Sequence, residues 1–314
     1  MSYFCLLNNV NMKRYRKAIN LRLLATCIML FFISVSAMAQ TKRALVIGIS
    51  DYPQTGENAW ASIHGANDAA LITPVLQKQG FKTTMICNKT ATAKKIRREL
   101  NNLVASCKKG DIIYIHFSGH GQPFEDLNGD EEDGWDESII PYDAQKKYQK
   151  GKYEGAKHML DDELLTYFQN LRRAVGSRGF VCVVVDACHA GGSSRGDDEI
   201  DEEKDVSFIR GTKQGFTPNG KEFRPRINSR SNFAIPQLAG GADILLLEAC
   251  RSYQSNYEIQ QAGKFYGPLS YYVSQVLSRQ TLTASTSWMM EVKKMMDSDR
   301  RLTRQNMVYE TSLK

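Results

Sequence analysis

The sequence predicts an α/β fold built on a mostly parallel sheet covered on both faces, and three observations carry that expectation. Two runs, Asp111 to Phe117 (DIIYIHF) and Phe180 to Asp186 (FVCVVVD), are almost continuously apolar and rich in β-branched residues, as strands buried on both faces require. Such runs alternate with stretches of helical period, and a β-α-β-α-β order favours right-handed crossovers and parallel pairing. Each of the two buried runs also leads into a reactive side chain, His120 in SGHG and Cys188 in DACHAGG. Reactive groups at strand ends point to a site at the carboxyl edge of an open sheet.

Taken in order, Arg43 to Ser50 reads as the first strand and Gly65 to Gly80 as a helix. Asn67 or Asp68 is its expected cap, with apolar spacing at Ala69, Leu71, Ile72, Val75 and Leu76 and a terminal glycine. Phe81 to Cys87 is the second strand, Ala93 to Cys107 an amphipathic helix, and Asp111 to Phe117 the third strand. Glu125 to Glu137 reads as an acidic loop. Leu160 to Val175 is a helix opened by Asp161 and Asp162, and it leads into the Cys188 strand. Residues 193–240 have no apolar period and carry blocks of acidic and then basic residues, so a flexible surface loop is expected. Ala242 to Cys250 is a further buried strand, Gly267-Pro268 starts a helix through Leu277, and Thr286 to Met296 is a helix whose methionines read as core filler. Gln305 to Thr311 is a closing strand.

At 314 residues, 42% hydrophobic and 24% charged, the chain can bury one substantial core. Its first segment differs from the rest. Lys13, Arg14, Arg16, Lys17 and Arg22 precede an apolar run, Leu23 to Ala39, that closes on Ala37-Met38-Ala39. This order reads as a secretory signal peptide over residues 1–39, cut before Gln40. A retained anchor is the alternative, disfavoured by the short run and its small-residue end. The expected mature domain is residues 40–314, exported to a periplasmic or extracellular space without a stable membrane span. The leader holds five basic and no acidic residues, so its removal takes the formal charge from +7 to +2, which makes nucleic acid a poor partner. Cys87, Cys107, Cys182, Cys188 and Cys250 remain, an odd number without paired spacing. At least one thiol therefore stays free, while Cys182, inside the strand run, reads as core.

A free thiol is mostly protonated at neutral pH and needs a base to become a nucleophile. His120 is the expected base. His189 is the rival, but it would project to the opposite side of an extended backbone from Cys188, and His116 reads as buried structure. The pairing of SGHG with DACHAGG resembles the caspase-like cysteine peptidases, most of all the metacaspases and their bacterial relatives. The resemblance extends to Gly134-Trp135-Asp136-Glu137, to Ile140-Pro141 and to Asp143, and it covers Arg43 to Leu277.

The resemblance implies a caspase-like three-layer α/β/α sandwich around about six strands. It implies a Cys188 and His120 dyad, with the amides of Cys188 and Gly121 as oxyanion donors. It also implies an acidic pocket of Asp68, Ser118 and Asp186 that takes Arg or Lys at the cleaved bond of a protein or peptide substrate. Gly65 departs from the pattern, standing where that segment usually has cysteine, and a wider pocket is the expected result. Calcium is an implied activator through Asp136, Asp161 and Asp162, with no cofactor needed for the chemistry itself. Self-cleavage within residues 193–240 is expected, with Lys204, Arg210 and Lys213 as candidate sites, and a monomer is expected. Two alternatives stand beside this reading: a caspase-like protein that binds peptides without cutting them, and an Arg-specific peptidase of the gingipain or clostripain type.

Overall fold

In a computed structural model of the chain, the described residues are 40–53, 59–129, 131, 133–188, 208–212, 214–224 and 233–313. The expected leader 1–39 and residues His189, Lys204 and Lys213 lie outside them. Six strands form the main sheet: β1 (Lys42–Gly48), β2 (Phe81–Cys87), β3 (Ile112–Ser118), β7 (Phe180–Asp186), β8 (Asp243–Glu248) and β11 (Val308–Thr311). Their order across the sheet is β11-β8-β7-β3-β1-β2. All pairings are parallel except that of β11 with β8.

Alternate residues of each strand feed opposite faces, as the two-residue period of a strand dictates. Leu45, Ile47, Ile113, Ile115, Val181 and Val183 pack with Ile96 and Leu100 of α2 (Ala93–Ser106) and with Leu164 and Phe168 of α3 (Asp161–Val175). Ala44, Val46, Tyr114, Cys182 and Val184 pack on the other face with Ile72 of α1 (Gly65–Lys78), Val273 of α4 (Pro268–Leu277) and Trp288 of α5 (Ser287–Ser298). This is the three-layer sandwich. The helices start less simply than their sequences suggest. α1 is capped by His64 with no side-chain cap bond, and α3 by Leu160 in the same way. Asp68, Asp161 and Asp162 are therefore not caps, and their carboxylates are committed elsewhere or left over. Met289 and Met296 are core residues, whereas Met290 is exposed.

Two smaller sheets depart from the expected loops. β4 (Gly121–Glu125) begins directly after His120 and pairs antiparallel with β5 (Trp135–Ile139), which pairs with β6 (Met159–Leu160). Both ends of the expected acidic loop thus lie in strands. β9 (Ile259–Gln261) and β10 (Lys264–Tyr266) form a hairpin just before α4. The stretch 193–240 is also not simply a surface loop. Arg210, Phe216 and Phe233 are fully buried, and Phe216 stacks on Phe124 of β4 with centroids 4.9 Å apart.

The chain runs from β1 to β2 on one side and to β3 on the other, so the sheet reverses direction between β1 and β3. In open α/β sheets such a switch point leaves a crevice at the carboxyl ends of the strands. Register sharpens it: Gly48 pairs with Ser118 and Ser118 with Asp186, so three strands end level.

Candidate active site

Four elements converge at this edge. Ser118 ends β3, Asp186 ends β7, Asp68 stands in the first turn of α1, and Gly267 precedes α4. The Ser118 hydroxyl donates to Asp68 Oδ2 at 2.6 Å, and the Gly267 amide donates to both Asp68 oxygens at 3.1 and 3.2 Å. Asp186 is fixed just as firmly. Its Oδ1 accepts from Asn256 Nδ2 at 2.7 Å, and its Oδ2 accepts from the Ser270 amide and hydroxyl, each at 2.7 Å. The expected pocket residues Asp68, Ser118 and Asp186 are thus brought together.

A guanidinium of the chain itself fills this pocket. Arg210 Nη1 lies 2.7 Å from Asp68 Oδ2 and 3.6 Å from Asp186 Oδ1, and donates to Ser118 Oγ at 2.6 Å. On its other edge, Nε and Nη2 both donate to Glu258 Oε1, at 3.1 and 2.8 Å. All four charged side chains are fully buried. Burial alone would neutralise such groups. It pushes Asp68 up to about 7, with Arg210 pulling back and Asp186 adding to the rise. Burial also opposes the Arg210 charge, but Asp68, Asp186 and Glu258 outweigh it and hold the guanidinium protonated.

The backbone around Arg210 is held as well. Its carbonyl oxygen accepts from the amides of Cys188, at 3.0 Å, and Gly121, at 3.1 Å. Its amide donates to Asn256 O at 3.0 Å, and the Glu258 amide donates to Phe208 O at 3.0 Å, with Ile209 opposite Tyr257 in an antiparallel bridge. The Phe208 ring meets His64 edge-on at 4.7 Å and Phe265 at 5.0 Å between centroids. Gly211 comes next, so close to the cysteine that a Cβ built on it would stand 3.1 Å from Cys188 Cβ. Residues 208–211 therefore pass through the crevice, bending at Arg210 and Gly211, with a carbonyl between two amides and a side chain in the pocket.

His120 lies on the flank. Its Nε2 is 2.8 Å from Ala61 O, and a carbonyl can only accept, so the proton sits on Nε2 and Nδ1 is left as an acceptor. Nδ1 is buried and meets no hydrogen-bond partner among the described residues. Trp60 stacks on the ring at 4.9 Å and Tyr52 packs at 5.1 Å, its hydroxyl accepting from the His120 amide at 3.0 Å. Burial, opposed in part by the Ala61 contact, lowers the imidazole to about 4. The Cys188 thiol donates to Gln254 O at 2.8 Å and does not bond Nδ1. The Cys250 thiol also reaches Gln254 O, at 3.5 Å, and its bond with Cys188, together with burial, pushes it well above its ordinary range. None of the five cysteines of residues 40–314 is in a disulfide, the contact between Cys188 and Cys250 being a hydrogen bond. His116 is structural, bonded to Tyr114 at 3.0 Å and Ser270 at 2.9 Å.

Gly65 does not widen the pocket. A Cβ there would stand 2.7 Å from Ile49 O and 2.9 Å from Ile49 N, so glycine lets α1 start directly against the ends of β1 and β3. Of the expected calcium residues, Asp136 and Asp161 are buried together, whereas Asp162 accepts from Asn128 Nδ2 at 3.1 Å. Asp161 Oδ1 is a buried oxygen without a hydrogen-bond partner among the described residues. Burial, then Asp136, Glu131 and Asp162, push it up to about 8. Such an oxygen fits a hard cation, although no cluster of three His, Cys, Asp or Glu side chains able to hold a metal occurs among the described residues. No described helix is long and apolar enough to cross a membrane.

Glu258, Asn256 and Gly267 escaped the sequence reading. They stand on or beside the short β9–β10 hairpin and carry no motif, so only tertiary contact reveals them.

Residues 41–314 match the family described as Caspase domain, and the chain belongs to that family. It is similar to Metacaspase-1 of Mycosarcoma maydis, 26% identical over 291 residues, covering 78% of this chain and 64% of that protein. It is also similar to Metacaspase-1 of Cryptococcus neoformans, 24% identical over 261 residues, covering 73% and 54%, and to Metacaspase-2 of Arabidopsis thaliana, 32% identical over 160 residues, covering 48% and 34%. The chain thus spans between a third and two thirds of the length of these relatives. A solved structure of a Geobacter sulfurreducens protein shares the fold, with a TM-score of 0.58 and 19% identity, covering 86% of this chain and 93% of that one.

Proposed function

We propose that this member of the caspase-domain family is a cysteine endopeptidase that cuts after a basic residue, and that its first substrate is its own Arg210–Gly211 bond. One observation carries the reading: the Arg210 carbonyl oxygen lies between the amides of Gly121 and Cys188 while its guanidinium fills the Asp68, Ser118 and Asp186 pocket. A peptide held at its oxygen, its flanking amide and its side chain is restrained as a substrate must be.

In the proposed chemistry, His120 Nδ1 takes the Cys188 proton and the thiolate attacks the Arg210 carbonyl carbon. The two amides stabilise the resulting oxyanion. The imidazolium then protonates the Gly211 nitrogen as the C–N bond breaks, leaving a thioester. Water, deprotonated by His120, attacks the thioester, releases the Arg210 carboxylate and returns the proton to sulfur. Before this can start, the thiol must turn from Gln254 O toward Nδ1, a side-chain rotation within a fixed backbone.

The test is intact-mass analysis of purified residues 40–314 over time. The expected result is two fragments that meet between Arg210 and Gly211, absent from Cys188→Ala. A stable single chain, or a cut elsewhere that survives in Cys188→Ala, overturns the self-cleavage. The second reading, a caspase-like protein that binds without cutting, draws on the Cys188 to Gln254 bond. It prevails if a chain already cut in this segment by an added protease hydrolyses no Arg or Lys peptide.

Calcium as an activator is supported by the unpartnered Asp161 oxygen, with Asp136 beside it and water completing the shell. The bound ion would neutralise two buried carboxylates behind the β4–β5–β6 sheet. Export of the mature chain rests on the 1–39 sequence alone, and N-terminal sequencing of protein secreted by its host tests whether Gln40 is the first residue.

A further inference from the structure

We propose that Glu258 is a specificity-determining residue that makes this pocket select arginine over lysine. The inference rests on the proposed cleavage after a basic residue and adds which base is taken.

The pocket divides into two sides. Asp68, Asp186 and Ser118 gather around one terminal nitrogen, Nη1, and a compact ammonium could meet the same carboxylates. Glu258 instead addresses the edge made of Nε and Nη2, with Oε1 accepting from both. Only a guanidinium presents two parallel N–H groups along one edge. In a lysine the position of Nε is a methylene, so Oε1 would face carbon there and lose charge-assisted donors in a fully buried site.

Glu258 is also held by contacts other than the guanidinium. Its Oε1 also accepts from the His64 amide at 2.7 Å, and its Oε2 lies 2.5 Å from His64 Nδ1. His64 is the N-cap of α1, so the carboxylate faces a helix N-terminus, where negative charge is stabilised. Its own backbone is pinned as well, by the Glu258 amide donating to the carbonyl of Phe208, two residues before the pocket side chain. A lysine therefore cannot draw Glu258 toward itself without breaking the contacts with His64 and the paired peptide backbone.

The test compares matched fluorogenic peptides that differ only in ending with Arg or Lys, using processed wild-type protein and Glu258→Gln, a variant of the same shape. Loss of a charge-assisted hydrogen bond implies a wild-type preference for Arg of roughly 10- to 100-fold in kcat/KM. In Glu258→Gln that preference should fall toward unity, through loss on the Arg peptide with little change on the Lys peptide. A variant that loses equally on both peptides, or keeps the wild-type ratio, overturns the proposal. A second measurement needs no variant: protection of Cys188 from alkylation in the wild type by agmatine, a guanidine, against 1,5-diaminopentane, an amine. Agmatine should protect at least ~10-fold more effectively by the same energetics, and equal protection overturns the proposal. Failure of the wild type to cut either peptide would instead remove the peptidase reading, a result distinct from cutting both equally well.

Discussion

The carbonyl oxygen of Arg210 accepts a hydrogen bond from the amide of Cys188 at 3.0 Å, so one of the chain's own peptide bonds lies against Cys188. The guanidinium of the same residue is the cation facing Asp68, Asp186 and Glu258. One side chain thereby ties residues 208–211 to three buried carboxylates.

Removing one partner of a buried charge cluster leaves the others uncompensated, at a cost of about 3–5 kcal/mol. Arg210→Ala should therefore melt well below the wild type while remaining uncut at this bond. Agmatine at millimolar concentration should restore much of the loss, because it returns a guanidinium to the carboxylates and ligands that bind only the folded state stabilise it. Thermal melts with and without agmatine check this. An Arg210→Ala chain as stable as the wild type, and indifferent to agmatine, would contradict the ion cluster as a stabilising feature.

Gly267 lines the pocket from the α4 side. A Cβ placed on it would collide with the Asp186 carboxylate and stand 2.5 Å from Arg210 Nη1. Its φ of −67° and ψ of 134° suit any residue, so the backbone tolerates alanine and the effect falls on the pocket. Gly267→Ala should lose more than roughly 100-fold in kcat/KM on Arg peptides, the scale of misplacing a bound group by about 1 Å. Its far-UV circular dichroism should match the wild type. Undiminished turnover would show that the pocket lies elsewhere.

The depressed His120 sets a direction in pH. With about 4 in the folded chain against an ordinary 6.5, the folded state holds fewer protons than the unfolded one between those values. Stability from this group is complete above pH 6.5 and is lost as pH falls toward 4. The neutral ring, with Nδ1 ready to accept, should persist well below pH 6. NMR titration of Cys188→Ala, with the resonance assigned by its loss in His120→Gln, checks both the value and the proton on Nε2. Trp60→Ala, which opens the stacked face, should move the midpoint up toward 6.5. A midpoint already near 6.5 in Cys188→Ala would contradict the burial argument.

Phe208, two residues before Arg210, rests between His64 and Phe265, and substrates that replace this segment should be read in the same place. Aromatic contacts of this kind contribute about 0.5–1.5 kcal/mol beyond burial. A peptide with Phe in the third position before the cut should therefore exceed its Ala counterpart by up to about 10-fold in kcat/KM. Phe265→Ala should remove the difference, and equal rates for the two peptides in the wild type would sink the subsite.

How much of this was legible in the sequence depended on which residues carry a local signal. Cys188 and His120 stand where long β-branched runs give way to small residues, and the alternation of strand and helix favours parallel pairing, so strands β1, β2, β3, β7 and β8 were readable while their order across the sheet was not. Asp68 could be read as a helix cap or, by the resemblance, as a pocket acid; Ser118, Arg210 and Gly267, all far along the chain, claim its carboxylate. The β4–β5 hairpin hid behind Pro123 and an acidic turn. Arg210 stood in the sequence as one of three candidate cleavage sites with Lys204 and Lys213, with nothing local to single it out, and Glu258 carries no pattern at all. Their partnership spans 48 positions and arises from the fold bringing two irregular segments to one strand edge.

Asp161 offers the sharpest test of the calcium reading, because its proton and the cation compete for one oxygen. Burial and neighbouring carboxylates push it up to about 8, against an ordinary value of 3.8. In the absence of metal the folded state therefore holds a proton there that the unfolded state has released. Stability from this group is complete below pH 3.8 and is lost as pH rises through 8. Calcium opposes that loss by binding the ionised form, so its stabilising effect should grow from pH 6 to pH 9. Asp161→Asn removes the ionisation while keeping the shape. Without calcium at pH 9 it should melt above the wild type, and it should lose most of the calcium-dependent shift. Melting curves at both pH values, with calcium or chelator, decide the matter. A wild type whose melting temperature ignores calcium at pH 9 would show that Asp161 holds a proton for structural reasons only.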